Sequence, residues 1–222
     1  MIRTQNAHLK VVAESHPGMT GKNNEDRYAV TAFRLSEEDP TPVLFAVLAD
    51  GIGGHRAGEV AAEMAVNAIS EYVAESDGLH PLETLQQAIQ QASLAILHFS
   101  QDGSGREGMG STCACAWVIG SRLYTSSVGD SRIYLLRGQS IQQLSKDHTW
   151  VQDALDLGVL KPDQVRGHPN AHVIRRYLGS PTPPQVDQRL YLHPQESDEE
   201  AAANQGMILM PNDLLLLCSD GL

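Results

Sequence analysis

Three aspartates stand beside glycine where an apolar run stops: Ala49-Asp50-Gly51, Val128-Gly129-Asp130 and Ser219-Asp220-Gly221. A fourth acidic site, Glu25-Asp26, opens a run that reads as a strand. Around Asp50, the glycines Gly51, Gly53 and Gly54 remove side chains, so the backbone can pass close to a metal or an anion. A carboxylate beside an unobstructed carbonyl is a hard, all-oxygen corner for Mg²⁺ or Mn²⁺. Acids that converge from separate strand ends at one sheet edge repel one another unless a cation neutralises them, so the pattern predicts a metal centre. The competing reading, a solvated turn acid, fits any one site and has to be invoked separately at each.

The elements that position these acids are legible from periodicity. Residues 43–49 are uniformly apolar, too short to span a bilayer and typical of a strand buried on both faces. Beyond the glycines, Val60, Met64, Ala68 and Tyr72 repeat every four residues opposite Glu59, Glu63, Asn67 and Glu71, which predicts an amphipathic helix ending near Asp77-Gly78. Leu82, Leu85, Ile89, Ala92 and Ile96 repeat the pattern after Pro81 and predict a second helix beside the first. Strands are expected over 8–16, 26–33, 111–119, 122–128, 131–136, 140–144, 186–192 and 214–218, with Gly120-Ser121 as a hairpin turn and 196–200 as an acidic loop. Residues 146–180 change character, with helices over 150–160 and 162–165 and a break at His168-Pro169. They read as a subdomain packed on the edge of an antiparallel meander.

The totals exclude several classes. Sixteen Lys and Arg against twenty-seven Asp and Glu give a formal charge of -11, which argues against a nucleic-acid surface. No stretch approaches the ~20 apolar residues of a membrane helix, and the first ten residues lack the apolar core of a signal peptide, so a cytoplasmic protein with no membrane partner is expected. At 222 residues and 41% hydrophobic content the chain can bury one sizeable core, and a single domain over 1–222 is expected. Cys113, Cys115 and Cys218 lie in apolar strand-like runs and read as small core residues. No Lys-Ser or Lys-Thr follows the glycines, so a P-loop is excluded.

In this order and spacing, NNEDRYAV, LADGIGGHRAGE, GMGSTCACAWV, VGDSRIYLLRG and LLLLCSDGL resemble the successive motifs of the metal-dependent PPM (type 2C) family of Ser/Thr protein phosphatases in its bacterial form. The resemblance implies an α+β fold, a four-layer α-β-β-α sandwich of two antiparallel sheets flanked by helix pairs, with a flap subdomain at about 146–180. It implies hydrolysis of phosphoserine and phosphothreonine in proteins by a water activated by two Mn²⁺ or Mg²⁺ ions. By the same resemblance Asp50 and the Gly51 carbonyl touch both ions, Asp220 ligates one, Glu25 acts through a bound water, and Asp130 with Asp220 holds a third ion. The implied partners are phosphorylated proteins and an opposing Ser/Thr kinase, and the expected state is a monomer.

Three departures stand out. The family's phosphate-holding Arg corresponds here to Gly21, and the neighbouring Lys22 is the substitute, a point charge rather than a bidentate fork. Ile52 follows Asp50-Gly51 where animal members carry a His, with His55 three residues further on as a candidate acid. The family continues past SDGL to another Asp and a last strand, so the sequence reads as truncated at its C-terminus. The alternative function is therefore a phosphatase-like regulatory or binding module of weak or absent activity.

Overall fold

The computed structural model describes residues 1–19, 23–53, 57–102 and 107–221. Strand β3 (Pro42–Ile52) carries apolar side chains on both faces, and its alternation sorts the chain into layers. Val43, Phe45, Val47 and Ala49 point one way. Together with Cys113, Cys115 and Trp117 of β5 (Cys113–Ile119) they form a core under helices α1 (Ala57–Glu75) and α2 (Pro81–Ser100). Leu44 of β3 and Ala114, Ala116 and Val118 of β5 point the other way, into a second core. That core is closed by Ile133 and Leu135 of β7 (Arg132–Arg137) and by Leu215 and Leu217 of β10 (Leu214–Cys218). A strand between two cores has no solvent face, which is why β3 and β5 read as continuous apolar runs.

The larger sheet runs β1 (Ile2–Arg3), β2 (Asp26–Arg34), β3, β5, β6 (Arg122–Val128), β9 (Met207–Ile208), with β4 (Gly110–Ser111) paired to the end of β3. The smaller sheet runs β10, β7, β8 (Ser140–Gln143), and every pairing in both sheets is antiparallel. The β5–β6 hairpin closes at Gly120-Ser121, with Ile119 opposite Arg122 and Gly120 at φ 60. The chain passes from one sheet to the other through residues 129–131, between β6 and β7. Helices α1 and α2 present Ala61, Ala65, Ile69 and Val73, and Leu85, Ile89, Ala92 and Ile96, to the buried side. None of the described helices is long and apolar enough to cross a membrane.

The expectation of an α+β fold built on two antiparallel sheets holds, and the central strands and both long helices fall close to their expected ranges. The other described helices are short, α3 (Trp150–Asp156) and α4 (Asp198–Ala203), with a 3₁₀ turn at Pro162–Gln164. Three expectations are corrected. Residues 8–16 form no strand: β1 stops at Arg3, and the stretch beyond is exposed, with Val12 79% accessible, because its scattered apolar residues offer no face to bury. Residues 186–192 are extended without a ladder, since Asp187 bonds Ser127, Leu190 bonds Ala201 and Tyr191 bonds Leu144, three different segments. The acidic loop over 196–200 is instead the start of α4. Ser197 accepts from the Glu200 amide while the Glu200 carboxylate accepts from the Ser197 amide, and acids in the first turn complement the helix dipole.

Ile69 is fully buried between α1 and the larger sheet. Ile69→Ala should lower unfolding free energy by about 2–5 kcal/mol, read from denaturant midpoints, because the close-packed helix layer can only partly collapse onto the void.

Candidate metal centre

Asp50 lies near the end of β3, directly opposite Asp26 on β2. The alternation that sends Leu44 into the inter-sheet core sends both carboxylates to the same face, where that face reaches solvent. Thr112 fixes the Asp50 main chain from the other side. Its amide donates to the Asp50 carbonyl at 2.8 Å, and its hydroxyl accepts from the Asp50 amide at 3.0 Å. The Ser111 hydroxyl donates to the same carbonyl at 3.0 Å. The Thr112 hydroxyl takes the Asp50 amide out of the ladder, which divides here into β4 and β5 with its register to β3 unchanged, where the sequence predicts one continuous strand.

Asp130 is carried by the crossing between sheets. Gly129 just before it has φ 104, and a Cβ there would lie 2.5 Å from the Thr112 methyl, so only glycine fits. The Thr112 hydroxyl also bonds the Ser131 hydroxyl at 2.7 Å, so one side chain links the Asp50 main chain to the residue that follows Asp130. Cys218 at the end of β10 pairs with Arg132 at the start of β7, which brings Asp220 and Asp130 to the same end of the smaller sheet. Ser219 closes the gap between sheets by donating to Asp26 Oδ2 at 2.8 Å.

Glu25 enters through a glycine contact. The Gly51 amide donates to the Glu25 carbonyl at 3.2 Å. Gly51 and Gly58 meet back to back: a Cβ on Gly51 would fall 2.2 Å from the Gly58 carbonyl oxygen, and one on Gly58 would fall 2.8 Å from the Glu25 carboxyl carbon. The first turn of α1 therefore rests on the strand end, with the Glu25 side chain against it.

The electrostatics follow from this crowding. Burial, and then the negative charges of Asp26, Asp220, Asp130 and Glu25, push the Asp50 carboxyl up to about 7. Burial and Asp220 raise Asp130 above the usual carboxylate range. The neighbouring arginines are committed elsewhere: Arg132 grips Asp147 at 2.9 and 2.5 Å, and Arg27 pairs with Glu59. Among the described residues no three His, Cys, Asp or Glu side chains stand close enough to enclose one ion. A hard divalent ion does not need that: Mg²⁺ in particular keeps several waters and takes one or two carboxylates. An all-oxygen donor set whose members repel one another fits such ions.

Of the residues expected from sequence, Glu25, Asp50, Gly51, Asp130 and Asp220 share this region, while Lys22 and His55 lie outside the described residues. Asp26 belongs to the fourth acidic site and receives no ligand role from the family resemblance, although among the neighbouring charges it acts most strongly on Asp50. Its signal was available, since a strand paired in register with β3 puts Asp26 on the Asp50 face. Thr112, Ser131 and Ser219 lie within the quoted motifs, but nothing in the sequence assigns them a bracing role.

Comparison with known proteins gives a consistent result. The family model described as protein phosphatase 2C matches residues 16–156. The serine/threonine phosphatase stp of Listeria monocytogenes is 34% identical over 209 residues, covering 92% of this chain and 74% of that protein. The structure of the S. agalactiae serine/threonine phosphatase superposes with a TM-score of 0.77 at 27% identity, covering 94% of this chain and 78% of that one. The catalytic domain of the serine threonine protein phosphatase PstP in complex with two manganese ions gives a TM-score of 0.69 at 31% identity, covering 94% and 76%.

The raised Asp50 value has a stability consequence. The folded chain holds this proton more tightly than the unfolded chain, so the associated stabilisation is present below about pH 4 and is lost as pH rises towards 7. In chelator, Asp50→Asn should therefore melt higher than the parent at pH 8, by a margin that shrinks by pH 5. Added Mn²⁺ should raise the melting temperature of the parent and scarcely that of the variant. A variant that melts lower than the parent at pH 8 would contradict the crowding. Gly51→Ala should unfold or detach α1, because its Cβ falls 2.2 Å from backbone. In Gly58→Ala the Cβ meets the Glu25 carboxyl at 2.8 Å and the Gly51 main chain at 3.0 Å, and that variant should fold with a lowered melting temperature and at least ~10-fold weaker Mn²⁺ binding through the displaced Glu25 carboxylate.

Proposed function

We propose roles for the acidic residues of a chain that belongs to the protein phosphatase 2C family and is a metal-dependent protein-serine/threonine phosphatase. Asp50, the Gly51 carbonyl and Asp220 would hold the core ions, with Glu25 placed to act through a bound water. Asp130 with Asp220 offers a weaker third position. The observation that carries this reading is the convergence on Asp50 of charges from separate elements, namely Asp26, Asp220, Asp130 and Glu25. When bound, Mn²⁺ or Mg²⁺ acidifies the attacking water, orients it in line and neutralises charge on the phosphoryl group.

The chain's own residues do the rest. Asp50 gives up its proton as the site loads, so loading strengthens as pH rises through neutrality. Thr112 and Ser111 hold the Asp50 carbonyl and amide, which keeps the carboxylate aimed without cost at each turnover. Burial argues against a cysteine nucleophile: Cys113 and Cys115 lie in the helix-side core, the Cys115 thiol is held well above its ordinary range by its hydrogen bond to Cys113 and by burial, and burial raises the Cys218 thiol as well. The attacking group is water.

The substrates are phosphoproteins, and we extend the reading to an enzyme that reverses a Ser/Thr kinase, since phosphoserine must be made before it is removed. A monomer is part of the same proposal. Residues 146–180 are proposed as a flap that selects peptides. Their support is proximity: Leu178 exchanges backbone bonds with Ser111 at 2.7 and 3.1 Å. Arg166 and Arg176 supply positive charge there, and Arg175 faces Asp153 at 3.5 Å.

Phosphoserine-peptide hydrolysis should require Mn²⁺ or Mg²⁺ and stop in excess chelator. Asp50→Asn should lower the rate by at least ~10²-fold at saturating metal. Full activity in chelator would overturn the metal roles. Replacing Arg166 and Arg176 with Ala should weaken hydrolysis of acidic phosphopeptides several-fold while sparing a small aryl phosphate. Equal losses on both would remove the flap from substrate choice.

A further inference from the structure

The crossing that carries Asp130 is held by the buried side chain of His148. His148 is 3% exposed and meets Gly129 twice: its amide donates to the Gly129 carbonyl at 2.9 Å, and its Nδ1 lies 3.0 Å from the Gly129 amide nitrogen. A backbone amide can only donate, so Nδ1 accepts and the ring proton sits on Nε2. That nitrogen lies 3.1 Å from Asp187 Oδ2 and donates to it.

Asp187 is itself fixed. Its main chain exchanges two bonds with Ser127 at 2.9 and 3.0 Å, and its carboxylate accepts from the Arg189 side chain and amide. Burial works against its charge, but the bonds from Arg189 and His148 outweigh that and keep it ionised far below the ordinary range. An ionised Asp187 can only accept, which locks the imidazole tautomer. The His148 carbonyl then accepts from the Arg175 amide at 2.8 Å, and Thr149 caps α3 and bridges to Ile174. One histidine thus ties three things together: the main chain preceding Asp130, an anchored acid, and the segment beside the site.

We propose that His148 is a positioning residue for the phosphatase reaction, aiming the Asp130 carboxylate by clamping Gly129 in its positive-φ conformation. The proposal rests on the reading that Asp130 takes part in metal binding. Gly129 is the natural lever. It cannot carry a side chain against Thr112, so its conformation depends on what its amide and carbonyl bond to. His148 supplies both partners. Supporting groups of this kind, once removed, typically weaken metal affinity 10- to 100-fold without touching the metal.

Two near-isosteres separate positioning from mere packing. Asn places an amide oxygen close to where Nδ1 sits and can still accept from Gly129, whereas Gln reaches towards Nε2 and Asp187 and leaves the Gly129 amide without its acceptor. Calorimetric Mn²⁺ titration of the full chain should give His148→Asn an affinity within about threefold of the parent for the weakest ion. His148→Gln should lose about 10-fold or more. Each variant forfeits one buried hydrogen bond, so their melting temperatures should fall by similar amounts. In the parent, long-range ¹⁵N–¹H correlation should find the His148 proton on Nε2. Equal Mn²⁺ affinities for the Asn and Gln variants, or a proton on Nδ1, would overturn the proposal. Asp130→Asn is measured in parallel. If it leaves the weakest Mn²⁺ affinity unchanged, the reading of Asp130 fails and the proposal fails with it. A shift in Asp130→Asn with no difference between the two His148 variants overturns the positioning role alone.

Discussion

Like charge held close together is the constraint on which the rest of this structure depends. Asp50 is half-buried with four acids in electrostatic reach, and its carboxyl is displaced to about 7 in consequence. A fold that only had to be stable would separate such groups, because crowding and burial disfavour the ionised form. The scaffold instead fixes them from several sides. Asp26 and Asp50 are paired across a ladder, Thr112 binds the main chain of Asp50, and Ser219 ties the end of the second sheet to Asp26. Stored repulsion of this kind is released by a divalent cation, which converts it into binding energy.

The two-sheet architecture is what makes this arrangement affordable. Each sheet contributes strand ends to one edge, so the acids arrive from β2, β3 and the flanks of β7 and β10 without any one segment carrying a run of negative charge. Alternation keeps the cores dry behind them: the helix-side core holds Phe45, Trp117 and Ile69, and the inter-sheet core holds Leu123, Ile133 and Leu190. Small residues do the close work. Gly51 and Gly58 let α1 rest directly on the strand end, and Gly129 lets the crossing turn against Thr112. In each case the missing Cβ is what brings two backbones, and hence two acids, into range.

Residues that never touch a reacting atom carry much of this precision. The chain from Arg189 through Asp187 and His148 to Gly129 is buried for most of its length and ends one residue short of Asp130. Buried polar groups in such a network are each satisfied by the next, which makes the network rigid and costly to interrupt. Rigidity matters here because carboxylate position decides metal affinity, and a flexible crossing would spread Asp130 over several orientations.

The sequence by itself determined the core strands, the two long helices and the acidic positions Glu25, Asp50, Asp130 and Asp220. Hydrophobic period and Asp-Gly punctuation are local signals that survive without knowledge of neighbours. The capping box at Ser197 was equally local and was legible, though hidden inside what reads as an acidic loop. Only the tertiary structure decided the rest. Residues 186–192 look like a strand, but strands need a continuous partner, and theirs changes from Ser127 to Ala201 to Leu144. Residues 8–16 lack one altogether among the described pairings. Asp26, Thr112, Ser131, Ser219 and the His148–Asp187 pair acquire their meaning from register and from contacts across as many as 193 positions of sequence. Such contacts leave no periodic trace, because a single hydrogen bond constrains one pair of residues and not a pattern.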